Sequence, residues 1–177
     1  MQLDGIRIVS FNHFLMGPLG IQFLADLGAE VIMIEPIKGA FQRHWGGSDA
    51  KRAGGETTLE LVANRNKKSV CLDLKDTDAL NIAKKLAMSA DVVAENFRPG
   101  VIERLGFDAD TVLARHPHLV YLSISGVGRA GPYVKKRVYD PVVQALSGFA
   151  EIQADPVNNR PKMIRTLIAD KTTAVYA

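Results

Sequence analysis

SVCLDLKDTDALNIAKKLAMSADVVAE, residues 69–95, decides the fold because it contains a strand pattern, a helix pattern and a second strand pattern in succession. Residues 69–74 and 91–95 are short runs rich in β-forming side chains. Between them, over residues 77–89, apolar positions recur at helical spacing while two lysines fall on the opposite side. A strand, a helix and a strand in this order predict a parallel sheet.

The same alternation continues in both directions along the chain. We predict further strands at 6–11, 30–34 and 119–125, and further helices at 20–27 and 108–115. The sequence therefore predicts an α/β fold, a Rossmann-like parallel sheet with flanking helices. Residues 36–55, 126–136 and 154–162 lack periodicity. The first of these reads as a long loop, which in a compact domain is usually functional, and we expect it to lie over a ligand.

Composition excludes several classes of protein. The chain has 177 residues, 47% of them hydrophobic, which is enough for a core of one domain or a large part of one. Its net charge of +3 is too small for a nucleic-acid-coating protein but suits a small anionic ligand. No apolar run approaches membrane-spanning length, and we predict no membrane association. We predict a cytoplasmic location, with a mitochondrial one left open.

The cysteine and histidine residues suggest no special chemistry. Cys71 is the only cysteine, and because it lies in an apolar run we expect a buried structural thiol. The four histidines show no metal-ligand spacing, so we predict no metal site. No G-x-S-x-G elbow is present, which argues against a serine hydrolase.

The segment LIADKTTA, residues 167–174, places Asp170 where an apolar strand is expected to end and a helix to begin. Unpaired N–H groups at a helix start favour an anion, so we expect the pKa of this carboxyl to be held low. Asp170 is either a helix cap or a nucleophile, and capping is the commoner role for such a residue.

Four more clusters lie near predicted strand ends, where open α/β sheets bind ligands. Residues 17–20 offer glycines, and residues 64–69 offer cations. Residues 95–100 contain an Asn-Phe-Arg triplet, and residues 132–140 place cations beside aromatic rings. All four suit a nucleotide, phosphate or thioester. The structural alternatives are a strand-to-helix turn, a solvated basic edge, a Pro-Gly turn and a solvated loop, and they stay open.

Taken together, these motifs resemble the family III CoA-transferases. The resemblance covers the chain from Gly5 to Ala177 and rests on Gly17-Pro18, Gly28-Ala29-Glu30-Val31, Asn66-Lys67-Lys68-Ser69, Leu72-Asp73-Leu74-Lys75, Glu95-Asn96-Phe97-Arg98-Pro99-Gly100, Arg104-Leu105-Gly106 and Ala169-Asp170. It implies that residues 1–177 are the N-terminal part of the large CoA-binding α/β domain, with the small domain and the C-terminal return segment absent. It also implies an interlocked homodimer for the full-length form.

The resemblance also implies roles for individual residues. Asp170 becomes the catalytic aspartate, which attacks an acyl-CoA thioester and then carries CoA as an aspartyl thioester. The implied CoA contacts are Leu72, Asp73, Leu74, Lys75, Asn96, Phe97, Arg98, Arg104, Lys136, Arg137, Val138 and Tyr139. Two positions depart from the formyl-CoA transferase branch. Leu15 stands in place of a glutamine, and a CoA-contacting arginine falls near Pro36, where Lys38 is the substitute cation.

Three functions follow from the resemblance. The favoured one is a CoA-transferase that moves CoA between short, dicarboxylic acids, with acyl-CoA as substrate and no tightly bound cofactor. The second is an enzyme like α-methylacyl-CoA racemase, but that branch has a histidine at the position of Tyr139, and a phenol with a pKa near ~10 is a poor acid or base. The third is a truncated, non-catalytic CoA-binding domain.

Overall fold

A five-stranded parallel sheet forms the centre of the protein in the computed structural model, which describes residues 1–45 and 51–177. The strands of this sheet are β1 Arg7–Phe11, β2 Glu30–Glu35, β5 Lys67–Cys71, β6 Val92–Glu95 and β7 Val120–Ser123. Two short strands, β3 Arg52–Ala53 and β4 Glu56–Thr57, pair separately. The helices are α1 Met16–Asp26, α2 Phe41–His44, α3 Thr58–Asn64, α4 Thr77–Met88, α5 Val101–Leu105, α6 Ala109–Arg115, α7 Asp140–Leu146, α8 Phe149–Ile152 and α9 Ile168–Tyr176. The predicted α/β fold is confirmed.

The strand order is β5-β2-β1-β6-β7, and every neighbouring pair in this sheet is parallel. From β1 the chain builds outward to β2 and β5, then returns across β1 to add β6 and β7. The order therefore reverses between β1 and β6. In open α/β sheets, the crevice beyond the carboxyl ends of the two strands at such a switch point is where ligands bind.

Helices cover both faces of the sheet, as parallel sheets require. Because side chains alternate along β1, Val9 and Phe11 join a core under α4, α5 and α6, whereas Ile8 joins a second core with Ile21 and Ala25 of α1. Strand β1 is buried on both faces for this reason. Four consecutive residues, Ile8 to Phe11, are buried, rather than every second one.

The predicted loop at 36–55 contains regular structure. Residues Phe41–His44 form α2, Arg52–Ala53 form one strand of a small antiparallel hairpin, and Gly46 to Ala50 lie outside the described residues. Arg43 holds α2 in place through ion pairs with the buried Glu35 at 2.7 Å and Glu60 at 3.2 Å. These partners lie on other elements, β2 and α3, so local periodicity gives no indication of them.

Several predicted boundaries and one predicted burial are corrected. Helix α1 begins at Met16 rather than at residue 20, and a proline is tolerated in its first turn. Strand β5 ends at Cys71 rather than at residue 74, and Cys71 is exposed because β5 is an edge strand. No strand precedes Asp170, since residues 163–167 are irregular. None of the helices in the described parts of the chain has the length and apolar character needed to cross a membrane.

Candidate active site

A cavity of about 610 Å³ opens beyond the carboxyl ends of β1, β6 and β7, at the switch point of the sheet. Its walls come from the segments that follow these strands, within residues 13–16, 96–99 and 124–128, and from the segment 134–141 that leads into α7. Phe41, Trp45, Leu167 and Asp170 complete the lining. The sheet thus brings together residues from opposite ends of the chain, from His13 to Asp170.

Asp170 lies in the first turn of α9, and a second aspartate fixes the start of this helix. The N-cap residue Leu167 makes no side-chain capping bond. Instead, Asp140 accepts hydrogen bonds through Oδ2 from the backbone N–H groups of Ala169 at 2.7 Å and Asp170 at 3.1 Å. Asp140 is 4% exposed, and its Oδ1 accepts a bond from Gln144 Nε2 at 2.6 Å. Asp170 is therefore not the cap of α9, and Asp140 positions its backbone.

The ionisation of Asp170 differs from the sequence-based expectation. Burial, and secondly the charge of the Asp140 carboxylate, together raise the pKa of Asp170 to about 6. The expected lowering by the helix start is wrong, because Asp140 already occupies the N–H groups that would stabilise an anion there. At neutral pH Asp170 is mostly ionised, yet it is more basic than an ordinary aspartate.

The Asn-Phe-Arg segment after β6 faces the cavity, but its Asn96 side chain is already engaged. Asn96 Oδ1 accepts the backbone N–H of His13 at 2.9 Å, and Asn96 Nδ2 donates to the carbonyl oxygen of His13 at 2.8 Å. Phe97 packs on the His13 ring with centroids 5.7 Å apart. Arg98 donates to the Tyr139 hydroxyl at 2.9 Å.

The basic segment before α7 forms another wall. Lys136, Arg137, Val138 and Tyr139 all line the cavity, and Lys136 Nζ lies 4.5 Å above the ring of Tyr133. Gly126 allows this segment to approach the β7 side, since a Cβ at that position would come within 2.5 Å of Val138 Cβ. The cations and the Asp170 carboxylate therefore border one space, which suits an anionic ligand carrying an electrophilic centre.

The structure places the remaining predicted residues outside the cavity lining. These residues are Leu15, Lys38, Leu72, Asp73, Leu74, Lys75 and Arg104. Leu15 is buried at the start of α1, Leu72 and Leu74 pack on the core, and the Lys38 carbonyl is hydrogen-bonded to His44 Nε2 at 2.8 Å. Asp73 accepts the backbone N–H of Lys75 at 3.0 Å. In the described residues, no group of three or more His, Cys, Asp or Glu side chains is arranged to hold a metal ion.

Sequence reasoning gave no role to several lining residues, among them His13, Phe14 and Met16. It included Phe41 and Trp45 only within the loop 36–55 expected to lie over a ligand, and Asp140 only as the end of the cluster 132–140. His13 and Phe14 directly follow β1, and the strand-end rule that selected residues 95–100 also applies to them. Asp140 stands immediately before Pro141 at a helix start, which is a capping signature, although the helix that it caps is α9. Partial burial of the His13 ring, and secondly the nearby Arg98 cation, lower the pKa of His13.

Comparison with known proteins agrees with these observations. Residues 3–177 match the family model described as CoA-transferase family III. The chain is 36% identical to a succinate–glutarate CoA-transferase of Agrobacterium fabrum, covering 99% of this chain and 44% of the relative. It is 38% identical to the human succinyl-CoA:glutarate CoA-transferase, covering 99% of this chain and 39% of the relative.

Solved structures give the same result. A CaiB/BaiF family protein from Brucella suis matches with a TM-score of 0.88 and 34% identity, covering 98% of this chain and 46% of that one. The chain thus spans less than half the length of the relatives that it matches. The resemblance drawn from the sequence motifs is confirmed.

Proposed function

Because the chain belongs to CoA-transferase family III, we propose that its cavity binds an acyl-CoA and that Asp170 relays CoA between short dicarboxylic acids. The observation that carries the proposal is Asp170 itself, a partly buried carboxylate of raised pKa that borders a cavity lined by several cations. A more basic carboxylate is a better nucleophile, and cations suit the phosphates of CoA. The relatives named above act on succinate and glutarate, which supports dicarboxylic substrates.

The proposed reaction needs no external acid or base. A carboxylate oxygen of Asp170 attacks the thioester carbonyl carbon, the C–S bond breaks, and the CoA thiolate leaves with the electron pair. The thiolate then attacks the aspartyl carbonyl of the resulting anhydride, and the donor acid leaves as a carboxylate. The acceptor carboxylate then attacks the aspartyl-CoA carbonyl carbon, the C–S bond breaks, and an anhydride between Asp170 and the acceptor forms. The released thiolate attacks the acceptor carbonyl carbon of this anhydride, its C–O bond to Asp170 breaks, and the acceptor acyl-CoA forms as the Asp170 carboxylate leaves. Each step exchanges one anion for another.

Asp140 and the cations have separate roles in this scheme. Asp140 holds the backbone of Asp170 and raises its pKa, so it positions the nucleophile and keeps it basic. We propose that Arg98, Lys136 and Arg137 bind the anionic CoA, because they line the same cavity. Leu72, Asp73, Leu74, Lys75 and Arg104 stay proposed CoA contacts on the strength of the family resemblance alone.

Three further proposals rest on the same resemblance. Residues 1–177 are the N-terminal part of the large CoA-binding domain, and the full-length form is an interlocked homodimer. CoA is a substrate rather than a resident cofactor. From the sequence rather than the resemblance, we propose a cytoplasmic location, with a mitochondrial one left open.

Trapping the intermediate tests the proposal. The protein is mixed with succinyl-CoA and hydroxylamine, and intact-mass measurement is followed by peptide mapping around Asp170. We expect a hydroxamate on Asp170 and none in the Asp170→Asn variant. Asp110→Asn is the matched control, since Asp110 is an exposed aspartate in the first turn of α6, outside the cavity. CoA binding by a protein in which Asp170 stays unmodified would instead support a non-catalytic binding domain.

A further inference from the structure

The segment that follows β1 adopts a backbone conformation that is unusual for its residues. Phe14 has a φ of 68°, in the left-handed region that bulky side chains rarely occupy. Such a conformation persists only where the surrounding structure enforces it, and it clusters at functional sites. Phe14 lies on the cavity wall, so this strained residue belongs to the candidate site.

Two side-chain amides from different parts of the fold hold this segment. Asn96, after β6, makes the two reciprocal bonds with the backbone N–H and carbonyl of His13, at 2.9 Å and 2.8 Å. Gln42, on α2, accepts the backbone N–H of Phe14 through Oε1 at 3.0 Å. Two consecutive N–H groups are therefore bound by residues 83 and 28 positions away.

Gln42 is committed to this bond. Its side chain is fully buried, and its Nε2 has no hydrogen-bond partner among the described residues. Its backbone carbonyl accepts the hydroxyl of the buried Thr57 at 2.5 Å, which fixes α2 at this position. Because the Phe14 N–H can only donate, the Gln42 amide must turn its oxygen towards it, although this leaves Nε2 unpaired among the described residues.

The held segment shapes one side of the cavity. The Phe14 ring lies 5.2 Å from that of Trp45 and 6.0 Å from that of Phe41, and the His13 ring packs on Phe97. We propose that Asn96 and Gln42 are positioning residues, whose amides hold His13 and Phe14 in the conformation that the cavity needs to bind CoA. The inference rests on the proposed function for the identity of the ligand. It departs from the expectation that Asn96 contacts CoA directly.

A direct ligand and a positioning residue differ in how they respond to a second mutation. Gln42 is not among the cavity-lining residues and has no exposed surface, so Gln42→Leu removes no ligand contact. We expect Asn96→Ala and Gln42→Leu each to weaken CoA binding by about five- to thirtyfold, as loss of one or two hydrogen bonds allows. Because both side chains act through one segment, the double variant should lose much less CoA affinity than the product of the two single losses. The maximal rate should change less than KM.

Trp45 gives a readout that needs no ligand. It is the only tryptophan in the chain, and it contacts Phe14. Release of the segment by Asn96→Ala should therefore shift its emission or its quenching by acrylamide, although Asn96 lies on a different strand end. Asn81→Ala, on an exposed position of α4, is the matched control and should change neither signal.

The outcomes separate the two proposals. Weakened CoA binding in Asn96→Ala with normal binding in Gln42→Leu would make Asn96 a direct ligand and overturn the inference. A double variant whose loss of affinity equals the product of the two single losses would overturn it as well. An unchanged Trp45 signal in Asn96→Ala would overturn it without reference to any ligand. Absence of CoA binding by the unmutated protein, with the Trp45 response intact, would contradict the proposed function and leave the positioning of the segment standing.

Discussion

Neutralising Asp140 should lower the pKa of Asp170, and the structure limits the size of the effect. The pKa of Asp170 rises from 3.8 to about 6, with burial as the larger cause and Asp140 as the second. The two causes together raise it by about two pKa units (6 − 3.8 = 2.2). Asp140→Asn removes only the smaller part, so we expect a decrease of up to about one pKa unit, which corresponds to about 1.4 kcal/mol.

The sign of the kinetic effect follows from this decrease. With a lower pKa, Asp170 stays ionised to lower pH, and the acid limb of the pH profile of kcat/KM for succinyl-CoA should move down by up to about one unit. At high pH, where Asp170 is ionised in both proteins, the variant should be slower because its nucleophile is less basic. The profile would be measured from about pH 4.5 to about pH 8.5, a range that brackets both pKa values.

Two controls make the measurement decisive. An asparagine at position 140 can still accept the N–H groups of α9, but its amide nitrogen then faces the Nε2 donor of Gln144. We therefore expect a stability loss of about 1–3 kcal/mol, which urea unfolding would quantify separately. Asp78→Asn removes the same charge from an exposed first-turn position of α4. An acid limb that stays in place, or moves to higher pH, would refute the assigned role of Asp140.

Two further predictions concern stability. Arg43→Met should reduce the free energy of unfolding by about 3–5 kcal/mol, because it leaves the buried Glu35 carboxylate without its cation, whereas Arg65→Met at an exposed pair should cost less than about 1 kcal/mol. Urea unfolding of both variants checks this, and equal losses would contradict it. Gly20→Ala should cost about 1–3 kcal/mol and slow CoA transfer, because the new Cβ would lie 3.0 Å from the Ala174 carbonyl of α9, the helix that carries Asp170. A higher melting temperature with full activity would show that helix propensity outweighs the crowding.

The sheet could be predicted because its determinants are local. Strand β1 contains the apolar residues Ile8, Val9 and Phe11 because both of its faces are buried, and Asp108 caps α6 through the backbone N–H of Thr111 three residues later. Such signals lie within one element and are readable from periodicity and capping residues. They predicted the α/β fold and selected residues 96–98 and 136–139, which line the cavity. Residues 96–98 do follow strand β6, whereas residues 136–139 lead into α7.

The rest of the site depended on contacts between distant residues. Helix α2 carries the aromatic wall residue Phe41 and is fixed by the ion pair between Arg43 and Glu35. No local sequence pattern predicts that these two residues pair. The pairing of Asn96 with His13 spans 83 positions. The sequence pattern therefore predicts a ligand contact at Asn96, whereas the structure pairs its amide with the backbone of His13.

Asp170 illustrates how one distant contact changes the chemistry of a residue. A helix start normally lowers the pKa of a carboxyl in its first turn, which would make Asp170 a weakly basic anion and a poor nucleophile. In this fold, Asp140 takes the N–H groups of Ala169 and Asp170 and adds a like charge beside a partly buried group. The Asp140 side chain therefore occupies the N–H donors that would stabilise the Asp170 anion, and it also places a negative charge that destabilises this anion. The pair of aspartates thus converts a position that would favour a passive helix cap into one that suits nucleophilic attack.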